Sequence, residues 1–100
     1  MAVAGRSGLP ERRRPVRHAI REAILSEPVI TEIEDLRTAQ LGPHDILVVG
    51  TLRVDSISAG EIYEARTRAE AGLQSAVPTA NLIYFRMRPT DAAEERWRNR

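Results

Sequence analysis

The sequence predicts an α+β fold, namely a two-layer αββαβ sandwich with two helices on one face of a three-stranded mixed sheet. Three observations predict it. Apolar residues recur at helical spacing in two segments, and three other segments are rich in the β-branched and apolar residues that are typical of strands. Proline, glycine and polar turn residues separate these segments. A chain of 100 residues with 42% hydrophobic residues also suits one domain with one core.

The first half of the chain predicts a helix followed by an irregular strand. Val16, Ile20 and Ile24 recur every four residues, which is typical of an amphipathic helix. Pro28 ends this helix, because the residue before a proline avoids helical geometry. Residues 29–40 are rich in β-branched side chains but do not alternate cleanly between apolar and polar. We therefore predict a strand that either contains a bulge or begins late.

The second half predicts a central strand, a helix and a third strand. Residues 46–54 follow a turn and are apolar enough to form the central strand of the sheet. Ser58 and Glu61 match a capping box, which predicts a helix from this point. Residues 80–88 then alternate like a strand with Leu82, Tyr84, Arg86 and Arg88 on one face. Helices on one side leave the other face of the sheet open, so we expect a second copy of the chain to cover it.

Composition excludes several classes of function. There is no cysteine, which excludes disulfides, thiolate catalysis and zinc-thiolate sites. No Ser-His-acid arrangement or glycine-rich phosphate loop is present, so we expect no enzymatic activity. The longest nearly apolar run, Ile46–Leu52, is far shorter than the roughly 20 residues of a membrane-spanning helix. Residues 1–9 lack a secretory signal core, and we expect a cytoplasmic location.

An ordered series of segments carries a family resemblance: Val29-Ile30, Asp35-Leu36-Arg37-Thr38, Leu41-Gly42-Pro43, the strand before Asp55, the helix after Ser58 and the Ile83-Tyr84 strand before Pro89. With this series, residues 10–89 resemble the cytoplasmic C-terminal domain of cation diffusion facilitator transporters, the cation efflux family. This resemblance implies a ferredoxin-like or metallochaperone-like fold that dimerises and responds to metal beneath a membrane transporter domain, at the inner face of the membrane. Residues 1–9 would be a flexible arm and residues 90–100 a polar, Arg-rich tail. A chain without the membrane helices would not transport by itself.

The metal ligands that the resemblance implies are replaced in this sequence. Some family members have a histidine directly before the Asp-Leu-Arg-Thr segment, where this chain has Glu34, and another late in the second strand, where it has Gly50. A histidine and an aspartate of the last strand correspond to Arg86 and Arg88. A guanidinium cannot be deprotonated to bind a metal. We therefore expect the zinc site of the family to be lost.

Some candidate metal ligands remain. Glu34 is one, and His44 and Asp45 are two adjacent candidates in the Gly-Pro turn. Two adjacent ligands without a third do not define a coordination sphere. We therefore predict no resident cofactor, with a divalent cation as the open alternative.

Further residues are predicted to contact partners. Gly50, Tyr84, Arg86 and Arg88 would form or border a homodimer interface on the open sheet face. The three arginines Arg12, Arg13 and Arg14 would contact anions or a membrane surface. Two alternatives stay open: an Arg-rich nucleic-acid-binding module, and an ACT-like small-ligand sensor. The net charge of only +1 and the absence of an identifiable pocket favour neither, so we expect neither nucleic acid nor a small-molecule substrate as partner.

Overall fold

The computed structural model describes residues 16–99, which form six elements in the order αββαβα. The predicted arm at 1–9 and Arg12, Arg13 and Arg14 lie outside these residues. The elements are α1 (16–25), β1 (Ile30–Gly42), β2 (Asp45–Val54), α2 (Ala59–Ala76), β3 (Leu82–Pro89) and α3 (Asp91–Arg98).

The three strands form one mixed sheet in the order β1-β2-β3. β1 and β2 are an antiparallel hairpin, whereas β2 and β3 are parallel and are connected through α2. The α+β class, the central position of the second strand and the mixed sheet are therefore confirmed. None of the helices within residues 16–99 is long and apolar enough to span a membrane.

The core lies between the sheet and the two longer helices. Ile20 and Ile24 of α1 pack in one cluster with Leu73 of α2 and with Val48 and Leu52 of β2, and all five side chains are fully buried. The helical stripe of the sequence is the stripe that is buried, because apolar residues three and four apart share one face of a helix. Both helices thus cover the same face of the sheet, as predicted.

An ion pair between a buried carboxylate and a half-exposed arginine joins the loop after α1 to the middle of α2. Glu27 is only 5% exposed, and its carboxylate accepts hydrogen bonds from Arg68 Nε at 2.7 Å and Arg68 Nη2 at 3.2 Å. The backbone N–H of Val29 donates to the same carboxylate at 3.0 Å. The bonds from Arg68 lower the pKa of Glu27 below its usual value, against the opposing effect of burial. This pair therefore fixes the path of the chain between α1 and β1.

The N-terminus of α2 is capped through a relay of two serines. The Ser58 hydroxyl accepts from the backbone N–H of Glu61 at 3.3 Å, as the capping box predicts. In a capping box the Glu61 side chain would also accept from the backbone N–H of Ser58, but its carboxylate accepts from the Ser56 hydroxyl instead. Ser56 Oγ in turn accepts from the backbone N–H of Ser58 at 3.1 Å. The buried Ser56 therefore stands between the two partners of the predicted box.

The segment after Pro89 is part of the folded domain rather than a polar tail. Thr90 caps α3 by accepting from the backbone N–H of Ala93, and Ala93 is buried. Arg96 of this helix donates to the Asp55 carboxylate at 2.6 Å. α3 is consequently fixed beside the loop that connects β2 to α2.

Candidate functional site

The face of the sheet opposite α1 and α2 is the candidate functional site, and it is called the open face below. Its centre is apolar and partly accessible: Val49 and Leu82 are each 39% exposed and Tyr84 is 63% exposed. Val49 is in register with Tyr84, and Leu47 with Leu82. Because residues in register share a face, these side chains form one contiguous apolar patch.

A bulge in β1 brings two acidic side chains to the open face. The register shifts between Ile33 and Asp35, so that Ile33 pairs with Leu52 and Asp35 pairs with Thr51. Glu34 is the additional residue of the bulge. Glu34 and Asp35 therefore share one face although they are neighbours in a strand, since Glu34 contacts Arg53 and Arg88 on the open face.

A cluster of four charged residues occupies one end of the open face. Glu34 Oε1 accepts from Arg88 at 3.1 Å, and Glu34 Oε2 accepts from Arg53 at 3.3 Å. Arg53 also donates to Asp91 of α3 at 3.4 Å. One carboxylate thus joins all three strands, and the side chain of Arg53 is only 14% exposed. Arg53 and Asp91 were not predicted as site residues. Arg53 could have been, because it lies four residues from Val49 and therefore on the same face of β2.

Gly50 is the one predicted interface residue that does not lie on the open face. It pairs with Leu36 and Phe85, both buried on the helix-covered face, and is itself buried. A Cβ placed on Gly50 would lie 3.3 Å from Cδ1 of Phe85. This correction follows from strand alternation, because Gly50 shares its face with Val48 and not with Val49. The glycine therefore makes room for the Phe85 ring.

The remaining predicted interface residues lie together on the open face. Tyr84, Arg86 and Arg88 alternate with the buried Phe85 along β3, as the sequence predicts. Arg86 pairs with Thr51 in the sheet register and is exposed. Among residues 16–99, Arg86 forms no salt bridge. The open face therefore carries one cation that is not neutralised within the described part of the chain.

The candidate metal ligands do not converge. Asp45 accepts from Asn81 Nδ2 at 2.7 Å at the hairpin end of β2, beside His44. Glu34 contacts Arg53 near the other end of β2, about 25 Å away at the rise of a β-strand. No group of three or more His, Cys, Asp or Glu side chains that could hold a metal occurs within residues 16–99. Because both oxygens of Glu34 already bind guanidinium groups, this donor set does not fit a divalent cation.

Zinc titration tests this assignment. We expect no binding at submicromolar zinc by calorimetry, since Glu34 is occupied by Arg53 and Arg88 and His44 has only Asp45 beside it. Any weak heat should disappear in the His44→Ala variant. A submicromolar site that survives His44→Ala would show that the ligands lie elsewhere.

Comparisons with known proteins identify the fold. No family model matches the chain, and no curated protein matches it. Solved structures of the MamM C-terminal domain (CTD) do match. A copper form has 18% identity and a TM-score of 0.72, covering 79% of this chain and 99% of its own. A nickel form has 18% identity and a TM-score of 0.71, covering 78% and 99%. A further MamM CTD variant has 17% identity and a TM-score of 0.74, covering 81% and 99%.

MamM is a transporter of the cation diffusion facilitator family. This chain has the fold of its C-terminal domain. The MamM CTD fold matches the metallochaperone-like architecture that the resemblance implies. Copper and nickel are bound in MamM CTD structures, so a divalent cation is compatible with the fold, whereas residues 16–99 of this chain show no metal site.

Proposed function

We propose that this chain is a cytoplasmic regulatory domain similar to those of cation efflux transporters, that it acts by forming a homodimer, and that it has neither transport nor catalytic activity by itself. The apolar patch on the open face carries the proposal. A small sheet backed by helices on one side leaves Val49, Leu82 and Tyr84 accessible on the other. Covering this patch removes apolar surface from water, which is the main driving force of association.

The proposal includes the loss of the metal ligands of the family. Glu34 and Arg88 occupy two of the implied ligand positions and bind each other at 3.1 Å. Arg53 provides a second cation to the same carboxylate. Guanidinium groups therefore neutralise Glu34 where a metal would otherwise do so. We expect the domain to associate in the same way with and without divalent cations.

Replacement of Tyr84 tests the interface. Tyr84→Asp places a charge in the apolar patch, so we expect the dimer dissociation constant to rise at least tenfold in sedimentation equilibrium. Tyr63→Asp is the matched control, because Tyr63 is 60% exposed on α2, away from the open face, and Tyr84 is 63% exposed. The control should dimerise like the unmodified chain. A chain that stays monomeric at micromolar concentration would refute the proposal.

A further inference from the structure

The charges on the open face are separated by strand. On the β1 side lie Glu32, Glu34 and Asp35, of which Glu32 is in register with Arg53 and Asp35 with Thr51. On the β3 side lie Arg86 and Arg88. Arg37 is the only cation on the described part of β1, and it is bound to Asp35 at 3.3 Å. The open face thus has an acidic edge and a basic edge on either side of the apolar residues of β2.

This separation distinguishes two ways of stacking two copies face to face. A two-fold axis perpendicular to the strands, in the plane between the sheets, places β1 over β1 and β3 over β3. Like charges then face each other at both edges, which opposes association. A two-fold axis parallel to β2 places β1 of each copy over β3 of the other. Opposite charges then face each other at both edges.

We infer that the homodimer of the proposed function is related by a two-fold axis that runs along β2, and that Asp35 of each copy pairs with Arg86 of the partner subunit. The inference rests on that proposed function. Residues that are in register across the three strands form a row of the sheet. Rotation about an axis along the strands does not shift residues in that direction, so each row faces the same row of the partner subunit. Asp35, Thr51 and Arg86 form one such row. The partner's carboxylate therefore faces the one cation of the open face that has no salt bridge within residues 16–99.

The neighbouring rows are compatible with this arrangement. In the next row Val49 would face its own copy, and Arg37 would face the ring of the partner's Tyr84, a favourable cation–π geometry. One row further, Leu47 would face its own copy and Ala39 would face the partner's Leu82. In the row on the other side of Thr51, Arg53 would face its own copy, and its charge is balanced within each chain by Glu34 and Asp91. The centre of the Val49 and Leu47 rows is apolar, as in well-packed interfaces. Aligned sheets cross at about 30°, which keeps facing rows within reach of long side chains.

Charge reversal tests the pairing. We expect Asp35→Arg and Arg86→Asp each to raise the homodimer dissociation constant at least tenfold in sedimentation equilibrium, because like charges then meet twice across the axis. The double variant with both reversals should dimerise within about threefold of the unmodified chain. Glu64→Arg, on the exposed surface of α2, is the control and should change nothing, since its side chain lies away from the open face.

Cross-linking tests the direction of the two-fold axis independently of the charges on Asp35 and Arg86. The chain has no cysteine, so single cysteines can be introduced without background. In an equimolar mixture of Asp35→Cys and Arg86→Cys chains, a short bis-maleimide should link unlike chains faster than like chains. Preferential linking of like chains would place β1 over β1 and overturn the inference.

The outcomes for the inference and for the proposed function are distinct. If the unmodified chain is dimeric but the double reversal fails to recover dimerisation, the Asp35–Arg86 pairing is wrong while the proposed function stands. If the unmodified chain is monomeric, both fail. Circular dichroism on each variant verifies that a loss of dimer is not a loss of fold.

Discussion

Replacing Phe85 by alanine is expected to lower the free energy of unfolding by about 3–5 kcal/mol. The Phe85 side chain is 8% exposed and belongs to the core cluster that both helices share with the sheet. Its ring packs against the bare backbone of Gly50, which has no side chain that could fill the space. Small domains are stable by only about 5–15 kcal/mol, and the loss is therefore a large part of the total. Urea denaturation followed by circular dichroism measures it.

The control for Phe85→Ala is Tyr63→Ala. Tyr63 is also aromatic but 60% exposed, and its ring is contacted by Arg66 at 5.4 Å from the centroid. We expect a change within about 1 kcal/mol, the scale of an exposed cation–π contact. Equal effects of the two replacements would mean that Phe85 is not part of the core.

Glu27 is expected to make the fold sensitive to acid. Its pKa is lowered in the folded state, chiefly by the hydrogen bonds from Arg68, below the ordinary value of 4.5. A group whose folded pKa is depressed stabilises the fold above its unfolded pKa, and this contribution is lost as the pH falls through the folded pKa. Glu27→Gln should therefore cost about 1–3 kcal/mol at pH 7, the scale of hydrogen bonds to a charged group. The difference between the two chains should shrink below pH 4.5.

Unfolding midpoints in urea between pH 7 and pH 2.5 measure the effect of Glu27→Gln. Glu64→Gln is the matched control, because Glu64 also lies near Arg68, at 4.0 Å, but its side chain is 70% exposed. It should follow the unmodified chain over the whole range. A constant difference between Glu27→Gln and the unmodified chain from pH 7 to pH 2.5 would contradict the prediction.

Local patterns in the sequence were sufficient for most of the fold. The stripe of Ile20 and Ile24, and the alternation of Tyr84 with Phe85, each predict a buried face that the structure contains. These predictions succeed because helical and strand periods are fixed by backbone geometry alone. The third helix was not foreseen as part of the domain, since Ala93 is its one buried side chain and supplies no apolar stripe.

Contacts between distant residues could not be predicted in the same way. Glu27 and Arg68 are 41 positions apart, and no period relates them. The arrangement of Glu34 and Asp35 depends on a bulge, whose position is set by pairing with β2 rather than by the sequence of β1. Gly50 is different, because it lies two residues from Val48 and strand alternation alone predicts that both share the buried face. It was placed on the open face because the family resemblance puts a metal ligand at this position.

The irregular register of β1 also limits how the protein can polymerise. β1 is an edge strand of 13 residues, long enough to template a further strand from another molecule. Its register against β2 shifts at three places, between Ile30 and Glu32, Ile33 and Asp35, and Gln40 and Gly42. Such interruptions break the row of free backbone groups that a fibril would need. Growth of the sheet into filaments through the β1 edge is thereby disfavoured, which leaves the open face free to serve as the contact surface of the proposed dimer.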